Sequence, residues 1–151
     1  MSASVNWYFQ SIDEQLKATL VSDYLTQIGY GNEEINGDFS TYWLESSLKI
    51  SPVEQVELLT KLQNNSLDFS SENINAVKDS ICLSASDDGT FYGKTGTGRV
   101  DGKNVNGWFI GFVETSDNTY FFATNIQGKS TASGATASKI TLEILKDFDI
   151  Y

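Results

Sequence analysis

TFYGKTGTGR (Thr90–Arg99), GWFIGFVET (Gly107–Thr115) and TYFFATNI (Thr119–Ile126) are rich in aromatic and β-branched residues, a texture that fits a pleated, half-buried surface. Asp101-Gly102-Lys103 and Ser116-Asp117-Asn118 separate them, and both are good hairpin connections, so the stretch reads as a three-stranded antiparallel meander. Trp108, Phe109, Ile110, Phe112 and Val113 are nearly continuous apolar text, which predicts a middle strand covered on both faces. The first strand carries something more. Lys94, Thr95 and Thr97 stand among Gly93, Gly96 and Gly98. A lysine beside residues without a Cβ offers a point charge and open backbone N–H groups to an anion lying close against the chain. A substrate carboxylate suits that arrangement.

Outward from the meander the chain reads as helical. Ala135 to Phe148, with Ile140, Leu142, Ile144 and Leu145, supplies a final helix to lie across one face. Upstream, Ser70-Ser71-Glu72 opens a helix expected to end near Leu83, and Ser51-Pro52-Val53-Glu54 is a capping box for another running to about Gln63. Trp7, Tyr8, Ile12 and Leu16, then Leu20, Tyr24, Leu25 and Ile28 before Gly29, mark two helices broken near Ala18-Thr19. Between Tyr30 and Ile50, turn formers alternate with Phe39, Tyr42, Trp43 and Leu44, which predicts a packed loop of the kind that shapes a site. The fold class is α+β: helices, an antiparallel meander and a C-terminal helix, in one domain over residues 1–151. A three-stranded sheet is narrow for so many aromatic side chains, so another chain or a further segment is expected to complete it.

Composition limits the chemistry. Ten basic residues against twenty acidic ones leave a formal charge of −10, which opposes binding to nucleic acid and to anionic lipid. The chain has no histidine and one cysteine, Cys82. Histidine-dependent triads and ordinary zinc sites are therefore excluded, and no metal or cofactor is expected. Cys82 cannot form an intrachain disulfide and is expected to be a small buried apolar residue. No apolar stretch approaches the length of a spanning helix, and Met1-Ser2-Ala3-Ser4 has no signal-peptide character.

Taken together, Lys94-Thr95-Gly96 on a strand, Tyr30-Gly31-Asn32 after a helix, Trp43-Leu44-Glu45 in the following loop and Gly107-Trp108-Phe109-Ile110-Gly111 on the next strand resemble the class D serine β-lactamases. The penicillin-sensing domains of β-lactam-responsive membrane receptors share the pattern. The resemblance runs over essentially the whole chain, with the motifs in the family's order. It implies that Ser4, in Ser4-Val5-Asn6, lies over the site and relays a proton to the leaving nitrogen, with Lys94 as its partner. It implies that Lys94 and Thr95 hold the carboxylate of a penicillin. Gly96 belongs to the same binding strand, and the backbone N–H of Thr97 forms part of an oxyanion hole. Trp43 would steady a carboxylated lysine acting as general base. Asn6 departs from the commonest class D pattern, which has Val there, and is closer to the sensor domains and penicillin-binding proteins. For several of these residues a structural role competes: core packing for Trp43, a helix C-terminal turn for Tyr30-Gly31-Asn32, a helix N-cap for Ser4.

The family's nucleophile is the serine of a Ser-x-x-Lys motif upstream of the second motif, and the sequence begins three residues before Ser4. Ser46-Ser47-Leu48-Lys49 fits the pattern but falls in the loop and in the wrong order, so it reads as coincidence. The Arg that usually grips the carboxylate after the last strand is also missing from Lys129 to Lys139. The expectation is the C-terminal portion of a protein whose complete form binds and hydrolyses β-lactams through an acyl-serine, the portion alone being inactive. The alternative is a sensor or penicillin-binding domain that is acylated without efficient hydrolysis. The parent protein is expected to be secreted or at the cell surface, with no direct membrane contact by this portion. Self-association through exposed edges is expected.

Overall fold

The computed structural model describes residues 4–151; Met1 to Ala3, read above for leader character, lie outside that range. Two short helices come first, α1 (Asn6–Asp13) and α2 (Ala18–Ile28). The second ends where Gly29 takes a left-handed φ of 66°, a conformation that glycine adopts without a Cβ penalty. After the loop, α3 (Pro52–Gln63) starts on the predicted capping box: Ser51 Oγ accepts from the Glu54 N–H, and the Glu54 carboxylate accepts from the Ser51 N–H at 2.8 Å. Hydrogen bonding to the carboxylate from the Ser51 backbone N–H, and then from the Ser51 side chain, holds the Glu54 carboxyl below its ordinary range. Helix α4 (Ser71–Ile81) is capped by Ser70.

The sheet is wider than the meander read from sequence. Its strands are β1 (Cys82–Ser86), β2 (Gly89–Val100), β3 (Lys103–Thr115), β4 (Thr119–Gln127) and the two-residue β5 (Thr131–Ala132). The order is β1-β2-β3-β4, all antiparallel, and β5 pairs in parallel with the start of β3. β1 escaped the sequence reading because it leaves α4 without an intervening turn; only its later hairpin at Asp87-Asp88 shows that a strand precedes it. It is an edge strand exposed along its whole length. Cys82 is consequently exposed, which corrects the expectation that it is buried.

β3 is covered on both faces, as its unbroken apolar text predicts. On one face Phe109 and Val113, with Phe91 of β2, pack against Ala137 and Leu145 of α5 (Gly134–Asp147). On the other, Phe112 packs with Leu59 of α3 and Ile81 of α4, flanked by Tyr92, Ile110 and Phe121. Lys78 covers this second cluster. Its ammonium lies 5.5 Å from the Tyr92 ring centre, 5.8 Å from that of Phe112 and 3.7 Å from the Glu114 carboxylate, which also accepts a bond from Gln63. Desolvation first, and then Glu114, push the Tyr92 hydroxyl up to about 12, so it stays a neutral donor.

Candidate functional site

Strand β1 pairs with β2 only as far as Tyr92. From Gly93 to Gly98, β2 has β3 on one side and, among the described residues, no strand on the other. The segment singled out for Lys94 and its glycines is therefore an open strand edge, with backbone donors and acceptors free for an extended ligand. Side chains alternate along it. Thr95 and Thr97 face α5, where Thr97 Oγ accepts from the Gly134 N–H at 2.9 Å. Lys94, Gly96 and Gly98 share the opposite face.

Lys94 bonds to Ser4 across ninety positions of sequence, and its ammonium also donates to the Thr95 carbonyl at 2.6 Å. Partial burial lowers its pKa from the ordinary lysine value. Ser4 sits just outside α1 with a left-handed φ of 46°. The residue capping α1 is Val5, with no side-chain cap bond. Ser4 is thus not a helix cap; its hydroxyl is the acceptor for Lys94. Asn6 follows as the first residue of α1.

Trp43 reaches the site's surroundings by another route. Its indole N–H donates to the Asp13 carboxylate at 3.0 Å, and its ring meets Phe9 edge-on at 6.3 Å. Asp13 is only 8% exposed, buried at the end of α1. Burial, and then Asp13 and Tyr30, push the neighbouring Tyr42 hydroxyl up. The loop is thereby tied to the helix that Ser4 precedes. Asp13 was missed in the sequence; the one signal is a carboxylate four residues after Phe9, at helical spacing from it.

Asn32 stitches the loop closed. Its side chain accepts from the Lys49 N–H at 2.8 Å and donates to the Ser47 carbonyl at 2.9 Å, while its backbone N–H donates to the Lys49 carbonyl at 2.9 Å. Gly31, with φ 52°, lies so close that a Cβ would sit 2.8 Å from the Lys49 carbonyl carbon. Of the Tyr30-Gly31-Asn32 motif, Gly31 is the left-handed residue and Asn32 the staple. Ser47 donates to the Glu34 carbonyl at 3.0 Å and accepts from the Asn36 N–H at 2.9 Å. The Ser46–Lys49 segment is not helical, so its serine and lysine do not share a helix face as the catalytic motif requires.

Two residues beyond Trp43, Glu45 lies over Gly98 and accepts from Asn106 Nδ2 at 2.9 Å. The loop therefore spans from α1 to the far end of the open edge. No periodicity or motif in the sequence places Glu45 there.

The penicillin binding protein transpeptidase domain matches residues 1–146. The methicillin resistance mecR1 protein of Staphylococcus aureus is 46% identical over 150 residues, which are 99% of this chain and 26% of that protein. Among solved structures, the C-terminal domain of the Bacillus licheniformis BlaR penicillin-receptor superposes with a TM-score of 0.93 at 48% identity, covering 100% of this chain and 61% of that one. A class D β-lactamase from Bacillus subtilis gives 0.91 at 37%, covering 99% and 61%. The chain thus spans about a quarter of that curated relative and three-fifths of those solved chains.

Proposed function

The chain belongs to the penicillin binding protein transpeptidase family, and on that premise we propose that it binds β-lactams at the open edge of β2. The observation that carries this is the Lys94–Ser4 contact beside the open edge of β2. Lys94 and Thr95 hold the ligand carboxylate, and Gly96 lets the ligand approach the backbone. The Thr97 N–H donates to the carbonyl oxygen that becomes an oxyanion, and Asn6 lines the Ser4 side. In the complete protein the lactam ring is opened by an acyl-forming serine supplied outside these motifs. Ser4, held by Lys94, relays the proton to the leaving nitrogen. Trp43, oriented by Asp13, shapes the general-base end. Residues 1–151 act as one domain; in the complete protein the acyl group is then hydrolysed in an enzyme or retained in a receptor at the cell surface, and this portion alone turns nothing over. The receptor reading is favoured by Asn6 and by the likeness to the BlaR penicillin-receptor domain. No helix among the described residues is long and apolar enough to cross a membrane.

Penicillin binding followed by competition with a fluorescent penicillin tests this reading. Lys94→Met is expected to weaken binding about ten- to a hundredfold, the worth of a charge-assisted bond; undiminished binding overturns it. Binding should also fall as pH rises through the lowered Lys94 pKa, because the carboxylate needs the cation. Stability runs the other way. Between the folded and the higher unfolded pKa the unfolded chain holds the extra proton, so this lysine's contribution to stability increases with pH.

Self-association is proposed from the exposed face of α1, where Trp7 is 70% exposed beside Tyr8. The outer edge of β4, which has no partner strand among the described residues, also supports it. Sedimentation should show mass rising with concentration, an effect reduced by Trp7→Ser; a monodisperse monomer at high concentration overturns it.

A further inference from the structure

Of the eight residues of α1 one is buried, and it is a carboxylate, Asp13. The large side chains of the helix do not anchor it. Trp7, Tyr8 and Ile12 are exposed, and α1 packs extensively on no other helix or strand among the described residues. A charged group stays out of water only where a donor compensates it. Here the donor is the Trp43 indole N–H at 3.0 Å, and Asp13 makes no other side-chain hydrogen bond and no ion pair among the described residues.

Trp43 is held independently of α1. Its loop is closed by Asn32, which bonds Lys49 and Ser47, and is tied to β3 through Glu45 and Asn106. Tyr42, next in the chain, is buried and stacked on Phe39. The loop is therefore the fixed body and the helix hangs from it, by the Asp13 bond and by Phe9 against the edge of the Trp43 ring. Phe9 and Asp13 are four residues apart, so both contacts grip one face of α1. Beyond the other end of the helix is Ser4, whose hydroxyl meets the Lys94 ammonium. A helix of two turns moves as a rod of about 12 Å. Tilting it at Asp13 displaces Ser4, and a misplacement of about 1 Å at reacting groups can cost a hundredfold in rate.

We infer that Asp13 is a positioning residue for β-lactam ring opening: it holds α1 on Trp43, and α1 holds Ser4 at Lys94. This rests on the reading of Ser4 as the proton relay. The test is acylation of the complete protein by a fluorescent penicillin over a range of concentrations, which separates the affinity of the first complex from the rate constant of acylation. Asp13→Leu leaves no buried charge behind. It is expected to lower the rate constant about tenfold or more while affinity stays within about twofold, because Lys94 and Thr95 still hold the carboxylate. Asp13→Asn keeps an oxygen acceptor for the indole and should restore most of the rate. Ser4→Ala should slow acylation by itself, and Asp13→Leu added to it should slow it no further, as expected of a residue that acts through the serine. If Asp13→Leu does not fold, Asp13→Ser, too short to reach the indole, is read in its place. A variant acylated at the unaltered rate, one that loses affinity in step with rate, or one that slows the Ser4→Ala protein further overturns the inference while Ser4 keeps its role. Ser4→Ala acylated at the unaltered rate, or an unaltered protein that is not acylated, overturns the Ser4 reading and the inference with it.

Discussion

Gly107→Ala is expected to destabilise the protein by about 3 kcal/mol or more, the upper range for overpacking, because nothing at that position can yield. Gly107 lies on β3 opposite Thr97, its partner in the ladder. A Cβ there would lie 2.5 Å from the Ser133 carbonyl carbon and 2.8 Å from the Ser133 nitrogen, and nearer still to the Ser133 oxygen. All three are backbone atoms of the residue that caps α5. Relief therefore requires moving the start of α5 off the sheet, and with it the Gly134 N–H that bonds Thr97. The variant should lose stability in urea denaturation and, where it remains folded, bind penicillin less well. Gly128→Ala is the matched control. Its Cβ would be 3.5 Å from the nearest atom, ordinary contact, and a change within about 0.5 kcal/mol is expected. Equal effects at the two positions would show that α5 can shift freely.

Phe112→Ala is expected to cost about 3–5 kcal/mol, as transfer and cavity terms add at a fully buried aromatic. That corresponds to a drop in Tm on the order of 10 °C for a chain of this length. Phe112 is 0% exposed; it stacks on Tyr92 at 4.5 Å, meets Phe121 at 5.7 Å and lies beneath the Lys78 ammonium. Its loss opens the cluster that holds α3 and α4 to the sheet, on the face of β2 that carries Lys94. Phe112→Leu, which keeps much of the volume, should cost markedly less. If thermal unfolding places Phe112→Ala within a degree or two of the unaltered protein, the helices close over the gap and this cluster does not anchor them.

Much of the fold was legible because its signals are local. Ser51 and Glu54 cap α3 within one turn, Gly29 ends α2, and the text around Phe109 and Phe112 shows a strand covered twice. β1 and β5 were not legible. β1 is exposed and contiguous with a helix, and β5 is two residues whose only support is pairing with Asn104 and Val105. Cys82 was misjudged for the same reason: its residue type favours burial, but its place on an uncovered edge strand prevails. At the site, Lys94 could be found from its own neighbours, because the charge and the glycines are adjacent in sequence.

By itself, then, the sequence determined the order of the helices and of the three meander strands, the capping box of α3 and the glycine end of α2, the family, and the strand that offers a cation to a carboxylate. Only the tertiary structure decided that β1 stops at Tyr92 and leaves that strand open, that Ser4 serves Lys94 instead of a helix end, that Trp43 is tied to Asp13, and that Glu45 lies over Gly98. The division is physical. Caps, turns and periodicity act over a few residues and are set by local backbone chemistry, whereas these contacts join residues 30 to 90 positions apart, and only the stacking of helices and loop on the sheet brings them together.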